Sequence, residues 1–302
     1  MAGDHYFLEL DPPEERLRHA PHVVVVGGGF AGVHVCKALK NADVRITMID
    51  KRNFNLFQPL LYQVSTGLVS RGDVALPLRE LVGAQSNTQV LLGEVTQVNP
   101  EGKQIVFNGK AYSYDYLVLA TGSGSTFFGH DDWRTFAPPM KILEHAEEIR
   151  RRLLMAMEQA EQTPDPEARQ FLQTVVIVGA GPSGCEMAGA VSELMRWAMD
   201  NAFKQLDPEK TRIVMVDPGD RVLRAMPEGL SEAAMQSLQK DGVEFLGKGR
   251  VQTMRPGEVT VGTPDGDVRI QAATVIWTAG VRASSLGKKL ADVTDCEVDR
   301  GG

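Results

Sequence analysis

The stretch "HVVVVGGGFAG", His22 to Gly32, decides the fold. Four consecutive valines run into Gly27, Gly29 and Gly32, with Gly28, Phe30 and Ala31 between them. This is the spacing of a buried strand that turns sharply into a helix. The first glycine permits the turn, the second lets backbone approach a pyrophosphate, and the third lets helix pack closely on strand. Free N–H groups and the positive dipole end of the helix then favour the anion. Glycine-rich turns also occur for structural reasons alone, so the flanking pattern carries the weight. "VRITMID" follows as a second strand and closes on Asp50, 23 residues after Gly27, near the roughly 20 expected of an acid that hydrogen-bonds a ribose diol.

The same plan recurs. "TVVIVGAGPSG" carries Gly179, Gly181 and Gly184, and "RIVMVD" closes on Asp217. Here 38 residues separate first glycine from acid. The excess lies where Met187, Val191, Leu194, Met195, Ala198 and Met199 keep a helical apolar stripe, so an extended crossover helix is expected. Beyond each acid come short β-like runs and a strand ending in a small-residue turn, Ala120-Thr121-Gly122 or Thr278-Ala279-Gly280. The expectation is an α/β protein of two Rossmann-like dinucleotide-binding domains, each with a parallel sheet, crossover helices and a β-meander. Residues 1–20 read as a loose tail and 21–125 as the first segment of the first domain. Residues 126–171 read as a connecting segment with an amphipathic helix and the Pro-rich acidic loop "TPDPEAR". Residues 172–282 then form the second domain, and 283–302 begin a return to the first, left incomplete.

Composition removes other classes. A chain of 302 residues has room for about two domains. A net charge of −7 without a dense Lys/Arg run lacks the footprint of a nucleic-acid binder. No apolar run approaches the roughly 18 residues of a spanning helix, and the acidic, proline-containing start is no secretory signal. Cys36, Cys185 and Cys296 have no short spacing and the six histidines form no ligand motif. Neither a disulfide framework nor a metal site is expected.

The paired fingerprints with an A-T-G turn resemble the two-dinucleotide-binding flavoprotein reductases, in which FAD occupies the first domain and NAD(P)H the second. Disulfide reductases of that superfamily place a C-x-x-x-x-C pair on the helix after the first motif, and no such pair occurs here. Instead "NFNLFQPLLYQVSTG", Asn53 to Gly67, is similar to the N-Y-x-L-F-Q-P-L-L-Y-Q-V-A-T-G stretch of type II NADH:quinone oxidoreductases. "FFGHDDW", "VIVGAGPSGCEMAGAVSEL" and "TVIWTAGVRASSLGKKL" agree, and the resemblance runs from His22 to the last residue.

The resemblance implies FAD held by Gly27, Gly28, Gly29, Phe30, Ala31, Gly32, Asp50, Lys51, Val95, Thr121 and Gly122. It implies NADH held by Gly179, Gly181, Pro182, Ser183, Gly184, Asp217 and Gly280. Gln58, Pro59 and Tyr62 would lie beside the flavin ring, and Glu186, in the first turn of its helix, would serve hydride or quinone chemistry. Physically, an apolar acceptor needs an oily approach with a few placed amides. Leu56, Phe57, Pro59, Leu60, Leu61 and Tyr62 would supply the wall, Gln58 and Gln63 the hydrogen bonds. An ordinary helix packed on the sheet accounts for the same residues. Family members continue with a strand ending in G-D, an A-Q-x-x-Q segment and C-terminal amphipathic helices that attach to the bilayer. The expectation is therefore a C-terminally truncated member that meets quinone and NADH. Its full-length relatives are cytoplasmic and peripheral to the inner face of the membrane, with homodimers one of the assemblies left open. Also open are a soluble NADH:acceptor flavoprotein reductase and a non-catalytic nucleotide-binding remnant lacking a complete flavin site.

Overall fold

A computed structural model describes residues 17–298. The expectations for residues 1–16 of the tail and 299–302 of the returning segment lie outside these. The chain divides into two compact units. Among the described residues, one takes those up to Phe57, Gly72–Gly124 and those from Val281 on; the other takes Gln58–Arg71 and Ser125–Gly280.

In the first unit four parallel strands lie in the order Thr88–Leu92, Arg45–Asp50, His22–Val26, Tyr116–Leu119. His22–Val26 is central, with Val24 opposite Thr47 on one side and Leu117 on the other. All five of its residues are buried, which is why it reads as a continuous apolar run and not as an alternation. Val23, Val25, Val33 and Cys36 pack on one face of the sheet. On the other, Val24 and Val26 meet Ile105 and Phe107 of an antiparallel meander, Val95–Asn99, Gln104–Phe107 and Lys110–Ser113.

The second unit repeats the order: Val243–Leu246, Arg212–Val216, Thr174–Val178, Thr274–Trp277, all parallel, with a meander of Arg250–Arg255, Glu258–Thr263 and Gly266–Gln271. The long crossover is a helix of 20 residues, Pro182–Asn201, against 9 for Phe30–Ala38. Met187, Val191, Met195, Ala198 and Met199 face its core and Leu194 packs against them. The two Rossmann-like halves are thus one architecture built twice.

Three local features differ from the sequence reading. Leu17, at the end of the expected loose tail, is completely buried. "TPDPEAR" is irregular only over Thr163 to Asp165 and is helical from Pro166 on. Asp165 accepts N–H bonds from Glu167 and Ala168 and caps a helix, Pro166–Leu172, the pairing of an acid N-cap with proline at the first helical position. The helix Leu61–Thr66, expected in the first domain, belongs to the second unit, where it packs on the helices Leu143–Gln162 and Pro182–Asn201. The expected return of the chain to the first unit begins at Val281. Val281–Ala283 pairs with Ser123–Ser125, and Leu286, on the helix Ser285–Ala291, joins the core with Val95 and Phe107.

Candidate active site

Each glycine turn follows the C-terminal end of its central strand, the end at which open α/β sheets receive ligands. The two turns are closed by the same bonds. Gly27 N–H donates to Ile49 O and Gly179 N–H to Val216 O, both at 2.8 Å. Their φ angles, +110° and +111°, lie where only glycine is unstrained. A Cβ on Gly32 or Gly184 would strike the carbonyl oxygen of Gly27 or Gly179, so the third glycine is required by helix–strand contact. The second glycine differs. Gly29 and Gly181 have ordinary φ values of −75° and −76°, and a Cβ there would meet no atom within 4 Å. Neither conformation nor packing demands glycine at these positions. What glycine leaves is open space against bare backbone, the cradle that a pyrophosphate requires.

The acids do more than expected of a ribose ligand. Asp50 Oδ2 accepts from Gly28 N–H at 2.6 Å and Oδ1 from Arg52 N–H at 2.6 Å. Asp217 Oδ2 accepts from Ala180 N–H at 2.9 Å and Oδ1 from Gly219 N–H at 2.7 Å. Each carboxylate therefore clamps the middle residue of its glycine turn and retains free lone pairs for a diol. The carbonyls of those middle residues are held too. Buried Asn55 donates through Nδ2 to Gly28 O at 2.9 Å. Leu223 N–H donates to Ala180 O at 2.8 Å, which its residue reaches by adopting a φ of +50°, a strained value for leucine. Sequence reading missed both. Asn55 carried a signal, an amide between the apolar Phe54 and Leu56; Leu223 carried none.

Around Asp217 a cleft of about 200 Å³ is lined by Ala180, Gly181, Pro182, Leu223 and Arg224. In the first unit Phe30 and Phe57 meet edge to face, centroids 5.6 Å apart, and both stay exposed. Thr121 and Gly122 follow Tyr116–Leu119, and Gly122, at a φ of +62°, accepts from Ser284 N–H. Lys51 is exposed, whereas the Val95 side chain is buried in the core, leaving its backbone as the part able to meet a ligand. Gly280 sits at a φ of +71° beneath the Phe128 ring.

Pro182 occupies the first position of its helix. Glu186 is consequently the fifth residue and lies beyond the first turn where the dipole acts. Its carboxyl is not held down; loss of water around it raises its pKa above the ordinary value. Beside it, burial and then the charges of Glu186 and Asp217 push Cys185 up to about 11, so that sulfur stays a thiol at neutral pH.

The quoted segment divides between the units after Phe57. Gln58–Leu60 forms a single 3₁₀ turn leading into Leu61–Thr66. Of the expected apolar wall, Leu56 and Leu61 are buried, so they pack inward and wall nothing. Phe57 and Pro59 are exposed, and Leu60 and Tyr62 half-buried. Gln58 is exposed, and Tyr62 also packs against the core of its unit. Gln63 lends its carbonyl to Leu68 and Val69 N–H groups, ending the helix.

The sequence profile of the pyridine nucleotide-disulphide oxidoreductases matches residues 21–302. The chain belongs to that family. FAD is the cofactor of this family, and the open cradle at Gly29 fits it. Among curated relatives, the type II NADH:quinone oxidoreductase Ndh of Mycobacterium tuberculosis is 42% identical over 301 residues, 97% of this chain and 65% of that protein. NdhA of the same organism is 40% identical over 286 residues, 93% of this chain and 61% of that protein. This family member thus spans less than two thirds of the length of either. In fold it is similar to NDH2 from Plasmodium falciparum solved in complex with NADH, with a TM-score of 0.83 at 20% identity over 89% of this chain and 57% of that one. It is also similar to the sulfide:quinone oxidoreductase of Aquifex aeolicus, with a TM-score of 0.71 at 19% identity over 91% of this chain and 62% of that one. Although the family is named for disulphides, the three cysteines of this member stand apart in sequence and all are free. No helix among the described residues is long and apolar enough to cross a membrane.

Proposed function

We propose that the protein oxidises NADH and reduces a quinone, with the balance NADH + H⁺ + quinone → NAD⁺ + hydroquinone. The single observation that carries the reading is the pair of acid-clamped glycine turns, each open at its second glycine, which provides two dinucleotide cradles in one chain. FAD, when bound, would supply the hydride-accepting, electron-relaying chemistry that these residues do not have. The chain's own residues bind, orient and protonate. Gly27 to Gly32, Asp50, Lys51, the Val95 backbone, Thr121 and Gly122 hold FAD. Gly179, Gly181, Pro182, Ser183, Gly184 and Gly280 hold NADH, with its adenosine in the cleft beside Asp217.

Asp217 accepts from the ribose diol and repels a 2′-phosphate, which selects NADH over NADPH. Glu186, with its raised pKa, keeps a proton to higher pH than a free glutamate and supplies the H⁺ of the balance. Gln58, Pro59 and Tyr62 form the acceptor approach. Membrane contact, when it occurs, is peripheral, and the location is the cytoplasmic side.

An absorbance titration tests the reading. The expected result is a yellow purified protein whose flavin bands NADH bleaches and a short-chain quinone restores. A colourless protein that takes up no added FAD, or bleached bands that a quinone leaves unchanged, would count against it.

A further inference from the structure

Beside the acceptor segment stands a cation to which the proposed chemistry assigns no role. Lys141 Nζ donates to Gln58 Oε1 at 3.2 Å. Its backbone is fixed: Trp277 N–H donates to Pro138 O at 3.1 Å, Met140 N–H to Trp277 O at 2.9 Å, and Lys141 N–H to Pro139 O at 3.0 Å. Pro138 to Met140 thereby extends the parallel sheet beyond Thr274–Trp277, with Pro139 bridged to Trp277. Ser65 Oγ donates to Met140 Sδ at 3.4 Å, which ties that edge to the helix following Gln58. The half-buried lysine, whose pKa desolvation pushes down, thus brings its ammonium to the exposed Gln58 side chain from a fixed stretch of backbone.

An ammonium has three donors and no acceptor, so it can meet only the oxygen of an amide. The geometry points to Lys141 as the positioning residue that turns the Gln58 amide so that its NH₂ group, and not its oxygen, is offered to the acceptor. The inference rests on the reading that Gln58 meets the acceptor, and it narrows that acceptor's chemistry. The molecule must present a carbonyl oxygen on which charge grows as electrons arrive, as a quinone does. Acceptors that present only O–H or N–H donors find no lone pair on that NH₂ group. The neighbouring cation also polarises the amide and makes its N–H the stronger donor.

Two measurements on the FAD-loaded chain decide it. In ¹H–¹⁵N spectra the Gln58 side-chain NH₂ pair, assigned by its loss in Gln58→Leu, moves in Lys141→Met and returns close to its original position in Lys141→Arg. In kinetics, with each variant's quinone rate normalised to its own NADH:ferricyanide rate, Lys141→Met raises the quinone KM about 5- to 10-fold, the scale of one ordinary hydrogen bond. Lys141→Arg restores it to within about twofold. In the Gln58→Leu background Lys141→Met adds nothing, because the two act as one unit. An unmoved amide pair overturns the inference, as does an equal loss in both backgrounds. A wild-type chain that reduces ferricyanide but no quinone would sink the proposed acceptor alone, since the amide resonances still report whether Lys141 sets Gln58.

Discussion

Gly29→Ala and Gly181→Ala separate ligand binding from folding, because the second glycine of each turn is free of structural duty. The backbone at both positions is extended, with φ of −75° and −76°, which alanine adopts without strain. The added methyl meets nothing within 4 Å. Alanine is a poorer helix N-cap than glycine by up to about 1 kcal/mol, and it recovers about 0.4–1 kcal/mol by restricting the unfolded chain. These offset, so the unfolding free energy should stay within about 1 kcal/mol of wild type. A pyrophosphate, by contrast, needs the backbone bare. Pushing it away forfeits one charge-assisted hydrogen bond of about 1.5–3 kcal/mol, which at about 1.4 kcal/mol per tenfold is roughly 10- to 100-fold in affinity. Moreover the losses should be separate: FAD for Gly29→Ala, NADH for Gly181→Ala. Urea denaturation gives the stability, flavin fluorescence quenching the FAD affinity, and calorimetry the NADH affinity. Unchanged affinity in both variants, or a stability loss beyond about 2 kcal/mol, would show that these glycines serve the fold and that the cradles are misread.

Asp217→Ser should narrow the preference for NADH over NADPH and, because the carboxylate also clamps Ala180 and Gly219, destabilise by about 1–3 kcal/mol; an unaltered cofactor ratio would remove Asp217 from specificity. Glu186→Gln should leave flavin content and thermal midpoint nearly intact while slowing quinone turnover and flattening its decline with rising pH, since Glu186, its pKa raised by desolvation, loses the proton it donates as pH rises; loss of flavin would instead mark a structural residue. His22 is buried, with Nδ1 near Ser113 O and Nε2 near Thr47 Oγ1, and desolvation followed by Arg45 lowers its pKa from 6.5. The unfolded chain therefore binds the proton first, and stability is fully present above about 6.5 and falls as pH drops toward the lower folded value. His22→Gln should flatten that acid slope in denaturation midpoints measured between about pH 5 and 7; an identical slope in the variant excludes His22 as its source.

What was legible in the sequence followed from backbone necessity. Gly27 and Gly179 at φ near +110° and the close approaches at Gly32 and Gly184 tolerate one residue type, and a fully buried central strand tolerates only apolar ones, so both halves declared themselves. Glu186 was read one turn too early, although Pro182 at the first helical position already marks it as the fifth residue. Other features had no local cause. Leu61 and Val64 announce burial without naming a partner, so the unit to which their helix belongs was hidden. The twist of Leu223 to φ +50° is imposed by Ala180 across the fold, and the Lys141 to Gln58 bond spans 83 residues. Asn55 lies between: its chemistry shows in the sequence, its target does not.

The membership of Leu61–Thr66 bears on how this gene can be cut. A reader guided by the repeat would express residues from about 125 to 280 as a self-sufficient module. Such a fragment would leave behind Leu61 and Val64, each 2% exposed, and bare the flanks of the helices Leu143–Gln162 and Pro182–Asn201 on which they rest. Each lost side chain amounts to about 1.5–3 kcal/mol of burial, enough to turn a marginal domain into an aggregating one. The excised module should become monomeric and cooperative in unfolding only when residues 58–71 are restored by circular permutation, or when the bared stripe is recoded with polar residues. Each of the two similar halves is completed by chain from outside its own repeat, so neither is a removable copy of the other.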